Sequence, residues 1–263
     1  MAALLIIGRD GSNNQPEDTD MQRMRFAVAA QSKAGRLGLL LVMQTFVSVR
    51  TELRAENNFS INSQPPVVWT VDNAESIGGH RPRVLGAPRI ASAATGGPAL
   101  LFNGKNDGLI LPVNPLRGLS KFTIEILFRP DADGPRAQRF VHIQDERDSR
   151  IMIETRLISS LSWSLDTYLH SGDNGRPLLD RTRRHPTGRW TWVALVYDGK
   201  TMSDYVNGQK ELEGPVDFAP MADGRMSLGV RLNRVFWFKG SIKEVRFSPL
   251  PLNPDALRRI SEK

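Results

Sequence analysis

The chain has 263 residues, enough for one sizeable β domain or two small ones. It is 40% hydrophobic and 24% charged, which excludes wholesale disorder, and it has no cysteine, which excludes disulfides and thiolate metal sites. A formal net charge of +7 admits an anionic partner, but no long Lys/Arg block is interleaved with aromatics, so nucleic acid is not expected.

Residues 1–55 read as a leader. A short apolar run and a polar, turn-rich stretch, "MAALLIIGRDGSNNQPEDTD", come first. Between Met21 and Arg54 stand Arg23, Arg25, Lys33, Arg36, Arg50 and Arg54 against the single Glu52, so much of the positive charge lies here. The apolar stretch from Leu37 to Val49 is about 13 residues, too short for a comfortable bilayer span and the length of a signal-peptide core. The order of basic then apolar residues predicts translation from Met21 or Met24 and export to a secreted or periplasmic location, with a helix or membrane-proximal anchor, or a disordered leader, as the alternatives, and no stable membrane span is expected. Residues 56–66, containing the polar "ENNFSINSQPP", are expected to be a linker, with the folded domain over 67–263.

From Val67 onward, short runs alternate with period two between turn signals, the signature of strands. Candidates in chain order are 67–71, 99–102, 108–111, 121–130, 139–144, 151–155, 160–169, 189–197, 201–206, 209–212, 226–230 and 241–247. In "KFTIEILFRP", Phe122, Ile124, Ile126 and Phe128 share one face, with Thr123, Glu125 and Arg129 opposite. In "SLSWSLDTYL", Leu161, Trp163, Leu165 and Leu169 face Ser162, Ser164, Asp166 and Tyr168 across the strand, predicting one face in a core and one in water. In "RWTWVALVYDG" both faces are apolar or aromatic, so this is read as a central strand whose Trp190 and Trp192 serve packing.

Asp-Gly and Asn-Gly pairs supply the positive φ angles of tight hairpins, with Asn207-Gly208 suited to a type I′ turn. Gly240 is expected to permit a close approach or bulge, because Ile242 and Val245 cannot share a face without a break in parity. Near the end, Asn253 as cap, Pro254 at the first position and a stripe of Ala256, Leu257 and Ile260 predict a short helix. The fold class is therefore all-β, an antiparallel β-sandwich or jelly roll with a short C-terminal helix.

Catalytic chemistry is sparsely represented. Glycosidic cleavage needs two carboxylates facing each other at a defined separation. "ERDSRI" offers Glu146 and Asp148, but Ile151 stands where a third carboxylate would complete Glu-x-Asp-x-x-Glu, Glu154 comes three residues late, and the stretch reads as a loop. His80, His142, His170 and His185 are scattered without metal-ligand spacing. No nucleophile elbow, phosphate loop or dinucleotide fingerprint occurs. Arg181, Arg183 and Arg184 form a solvated basic loop.

The stretches "ALLFNGKNDGLILP", "FTIEILFRP", "RWTWVALVYDGKTMSDYVNGQKE", "MSLGV" and "WFKGSIKEVRF" resemble, in order and spacing, the laminin-G-like, concanavalin A-like jelly roll, over roughly 67–257. These motifs close the sandwich and do not specify a ligand. The resemblance implies a non-catalytic recognition module for carbohydrate or a cell-surface partner, with a rim calcium in some members. Oxygen ligands for calcium are available in turns, from Asn106, Asp107, Asp131, Asp133, Asp173 and Asn174. A sugar would stack on an aromatic ring and hydrogen-bond to nearby polar groups. Tyr168, on the polar face of its strand beside Asp166, is the first choice, followed by Tyr205, Trp237 and the carboxylate of Glu125. Two alternatives remain open: a glycoside hydrolase using Glu125, or Glu146 with Asp148, and a structural module of an envelope assembly whose loop from Arg181 to Arg184 meets an acidic polymer.

Overall fold

The structure is a computed structural model that describes residues 65–93 and 97–260; the expected leader, and the linker up to residue 64, lie outside the described residues. Sixteen strands follow one another among the described residues. They are β1 (Val67–Thr70), β2 (Arg83–Leu85), β3 (Arg89–Ala93), β4 (Gly97–Asn103), β5 (Gly108–Leu111), β6 (Phe122–Pro130), β7 (Ala137–Asp145), β8 (Arg150–Ser159), β9 (Ser162–Ser171), β10 (Asn174–Leu179), β11 (His185–Pro186), β12 (Thr191–Tyr197), β13 (Thr201–Val206), β14 (Gln209–Pro215), β15 (Gly224–Leu228) and β16 (Lys239–Ser248).

They form two antiparallel 8-stranded sheets. Sheet I runs β14-β13-β12-β6-β16-β4-β3, with β1 also on β16; sheet II runs β10-β9-β8-β7-β15-β5-β2, with β11 on β9. The alternation seen in the sequence sets the inner faces. Phe122, Ile124, Ile126 and Phe128 of β6, and Val193, Leu195 and Tyr197 of β12, meet Ile151 and Ile153 of β8 and Trp163, Leu165 and Leu169 of β9 in one core. Phe128 stacks on Phe140 with centroids 4.4 Å apart and meets Trp163 edge-on at 5.1 Å, so aromatic contacts tie the two sheets together.

Two of the four register shifts among the described strands shape the faces. The register shift between Ile242 and Glu244 lets Ile242 and Val245 both reach the core, as the sequence pattern required. A second shift, between Arg139 and Val141, puts Arg139 opposite Glu154 on the outer face of sheet II while Val141 stays inside. Asn207 and Gly208 both have positive φ, 48° and 76°, at the tight β13–β14 hairpin.

The other expectations are corrected in detail. The C-terminal helix is a single 3-10 turn, Pro254–Ala256; Asn253 makes no side-chain cap, and Ala256 is exposed. The polar faces of β6 and β9 are buried at their centres rather than lying in water. Glu125 and Asp166 are each 4% exposed, because the chain end covers the first and arginine side chains cover the second. Trp190 precedes its strand and is half-buried, and the β12 residues in the main core are Val193, Leu195 and Tyr197.

Candidate functional site

The outer face of sheet II gathers the first-choice residues. Cross-strand pairing sets Glu154 of β8 beside Asp166 of β9, and Met152 beside Tyr168. Arg139 Nε donates to Glu154 Oε1 at 2.7 Å, Arg156 Nη2 donates to Glu154 Oε2 at 3.0 Å, and Arg156 Nε donates to Asp166 Oδ2 at 2.6 Å. Phe236 caps this network, with the Arg139 guanidinium carbon 3.7 Å from its ring centroid.

Burial, reinforced by the neighbouring Asp166, pushes Glu154 up to about 7 against the pull of both arginines. Asp166 is raised for the same first reason, burial, opposed by Arg156. A proton-donating carboxylic acid beside a second carboxylate resembles hydrolase chemistry. Yet both oxygens of Glu154 accept from guanidinium groups and the residue is 2% exposed, so neither reaches a glycosidic oxygen. Glu146 and Asp148 are exposed in the β7–β8 turn.

Tyr168 is half-buried beside Asp166, its ring stacked near His170 at 6.0 Å. Trp237, also half-buried, lies on the loop before β16, next to Phe236. The structure does not bring Glu125 and Tyr205 to this face. They lie on the outer side of sheet I, where the backbone N–H of Arg258 donates to Glu125 Oε1 at 2.6 Å and Leu257 packs on Ala194, Val196 and Tyr205. Tyr205 is 5% exposed there and presents no ring to a ligand.

Three of the residues proposed for calcium, Asn106, Asp107 and Asp133, are engaged in turns or ion pairs. Asp107 accepts from the backbone N–H groups of Ala87 and Asn103, and Asp133 pairs with Lys239. Asp107 and Asp131 do share a small groove, but Arg89, Lys105 and Lys239 line it too. Those cations do not fit a calcium site, which needs converging oxygens. Asn106, Asp173 and Asn174 are exposed, and no group of three His, Asp or Glu side chains able to hold a metal occurs among the described residues.

An unanticipated groove of about 590 Å³ opens where four segments meet. β11 contributes His185, the entry to β12 contributes Arg189 and Trp190, the β13–β14 hairpin contributes Asn207 and Gln209, and the chain end contributes Arg259. Its size falls within the usual range for ligand sites. The Arg129 guanidinium lies 5.6 Å from the Trp190 ring centroid and steadies the indole. His185 is fixed between Trp163, at 4.8 Å between rings, and Glu211, at 2.7 Å from its Nε2. The Asn207 backbone N–H donates to Trp192 O at 2.8 Å, and its Oδ1 accepts from Trp192 N–H at 3.1 Å, so the hairpin tip is pinned to β12. An indole, amides and cations around a wet groove can stack on a sugar ring and bind its hydroxyls. The sequence signal was the "RW" pair just ahead of the alternating run, where Trp190 falls outside the strand.

Two antiparallel sheets in this order make a concanavalin A-like jelly roll. The laminin G family model of the concanavalin A-like lectin/glucanases superfamily matches residues 103–258, and the chain belongs to that family. Among solved structures it is similar to domain 4 of AbnA, a GH43 extracellular arabinanase from Geobacillus stearothermophilus, in complex with arabinotriose. That match has 22% identity and a TM-score of 0.55, over 72% of this chain and 94% of that one. It is also similar to the botulinum neurotoxin serotype D binding domain, with 11% identity and a TM-score of 0.53, over 72% of this chain and 49% of that one. No curated protein matches the chain.

Proposed function

We propose that the chain is a non-catalytic recognition module that binds carbohydrate through the groove at Trp190. The observation that carries this is a half-buried indole, steadied by Arg129, in an open groove with Asn207, Gln209 and Arg189 beside it. The arabinanase domain, whose structure is in complex with arabinotriose, supports the same class of ligand on this fold. The basic-then-apolar leader supports a secreted or periplasmic location, which N-terminal sequencing of the mature protein would check: an intact Met1 in a cytosolic fraction overturns it.

Affinity electrophoresis through gels containing plant and bacterial polysaccharides tests the binding. At least one polysaccharide is expected to retard the wild type, and Trp190→Ala to abolish the retardation with little change in thermal stability. If Tyr168→Ala abolishes it and Trp190→Ala does not, the surface is the outer face of sheet II and the groove assignment fails. On the same polysaccharides no reducing ends are expected to appear, since Glu154 and Asp166 are engaged by Arg139 and Arg156. Release that disappears in Glu146→Gln would restore the hydrolase reading.

A further inference from the structure

The groove at Trp190 has a marked charge asymmetry. Arg189 and Arg259 line it and are exposed, and among the described residues no acidic side chain lines it. Neither arginine pairs with a carboxylate among the described residues; Arg259 Nη2 donates only to the carbonyl of Pro254, at 3.1 Å. Glu211, which touches the lining, is engaged by His185 at 2.7 Å. Arg129 adds a further positive charge against the indole. Immediately before His185, the chain brings Arg181, Arg183 and Arg184 along the surface, all exposed, with Arg183 held only loosely to Asp180 at 3.8 Å.

Exposed cations with no acidic partner repel one another, and an anion supplied from outside relieves that repulsion. A guanidinium fork matches a planar carboxylate through paired N–H donors. We infer that the saccharide taken by this groove is acidic: a uronate-bearing polysaccharide whose sugar ring stacks on Trp190 while its carboxylates pair with Arg189 and Arg259, and whose chain continues along Arg181, Arg183 and Arg184. This rests on the carbohydrate-binding reading of the same groove.

The test measures binding of the full chain to oligogalacturonate and oligoalginate and to their methyl esters, which keep the ring and remove the charge. At least one free acid is expected to bind about tenfold or more tighter than its ester at low salt, with the advantage shrinking as salt rises. The double substitution Arg189→Gln with Arg259→Gln is expected to erase that advantage, and Trp190→Ala to weaken acid and ester alike. Equal binding of acid and ester, or an acid preference that survives the double substitution, overturns the acidic-ligand proposal and leaves carbohydrate binding standing. If neutral polysaccharides bind through Trp190 and neither uronate does, the ligand class is wrong but the site is right. Failure of every saccharide to bind overturns both.

Discussion

Asp204 stands on β13 between Met202 and Val206, and all three side chains point toward the core. It is fully buried, with one oxygen accepting the N–H of Leu212 at 2.9 Å and the other accepting the hydroxyl of Thr167, across the sandwich, at 3.2 Å. Its partners are neutral, so burial prevails and pushes the carboxyl up to about 7, from an ordinary 3.8. The folded state therefore holds a proton that the unfolded chain has already lost between about pH 4 and 7. Stability falls as pH rises through that window, by at most about 1.4 kcal/mol per pH unit for this group. Glu154, raised to about 7 by burial, acts in the same direction. Urea midpoints are expected to drop between pH 5 and pH 7.5. Asp204→Asn, which keeps an acceptor for Leu212, is expected to remove part of that drop. A variant with the wild-type slope would show that Asp204 is not the group titrating. In the sequence, Asp204 reads as one more polar residue in "TMSDYV"; only its facing partner on β9 marks it as a bridge between sheets.

At the scale of elements, the segment after β16 forms a single 3-10 turn in place of a longer helix. It returns across the outer side of β6, β12 and β13. There Thr123 Oγ1 donates to Leu250 O at 2.8 Å and accepts from Leu252 N–H at 2.9 Å. Leu257 then closes a second small apolar cluster with Ala194, Val196 and Tyr205. This is why β12 carries apolar residues on both faces: the two faces belong to two different clusters. Leu257→Ala is expected to cost about 2–4 kcal/mol in denaturant unfolding. A cost near zero would mean that the segment is only loosely attached. Gly240 precedes the bulge. Its φ of 143° is rarely open to an L side chain, and a Cβ there would lie 2.3 Å from the carbonyl oxygen of Arg129. The parity break between Ile242 and Glu244 is legible in the local sequence, whereas the close approach at Gly240 is to the distant strand β6.

At the scale of the whole molecule, period-two alternation and turn chemistry determined the all-β sandwich, its inner faces and its hairpins, because each depends on residues a few positions apart. The motifs from "FNGKNDG" to "FKGSIKEVRF" carried the family for the same reason. What covers each outer face was decided only in three dimensions. Guanidinium groups from β7 and β8 close over Glu154 and Asp166, so a strand face that alternates like a wet surface is dry at its centre. The groove joins His185, Trp190, Asn207 and Arg259, which lie on separate segments and meet only once the sheets are paired. Burial and convergence of this kind are sums over residues far apart in the chain, and no local period encodes them.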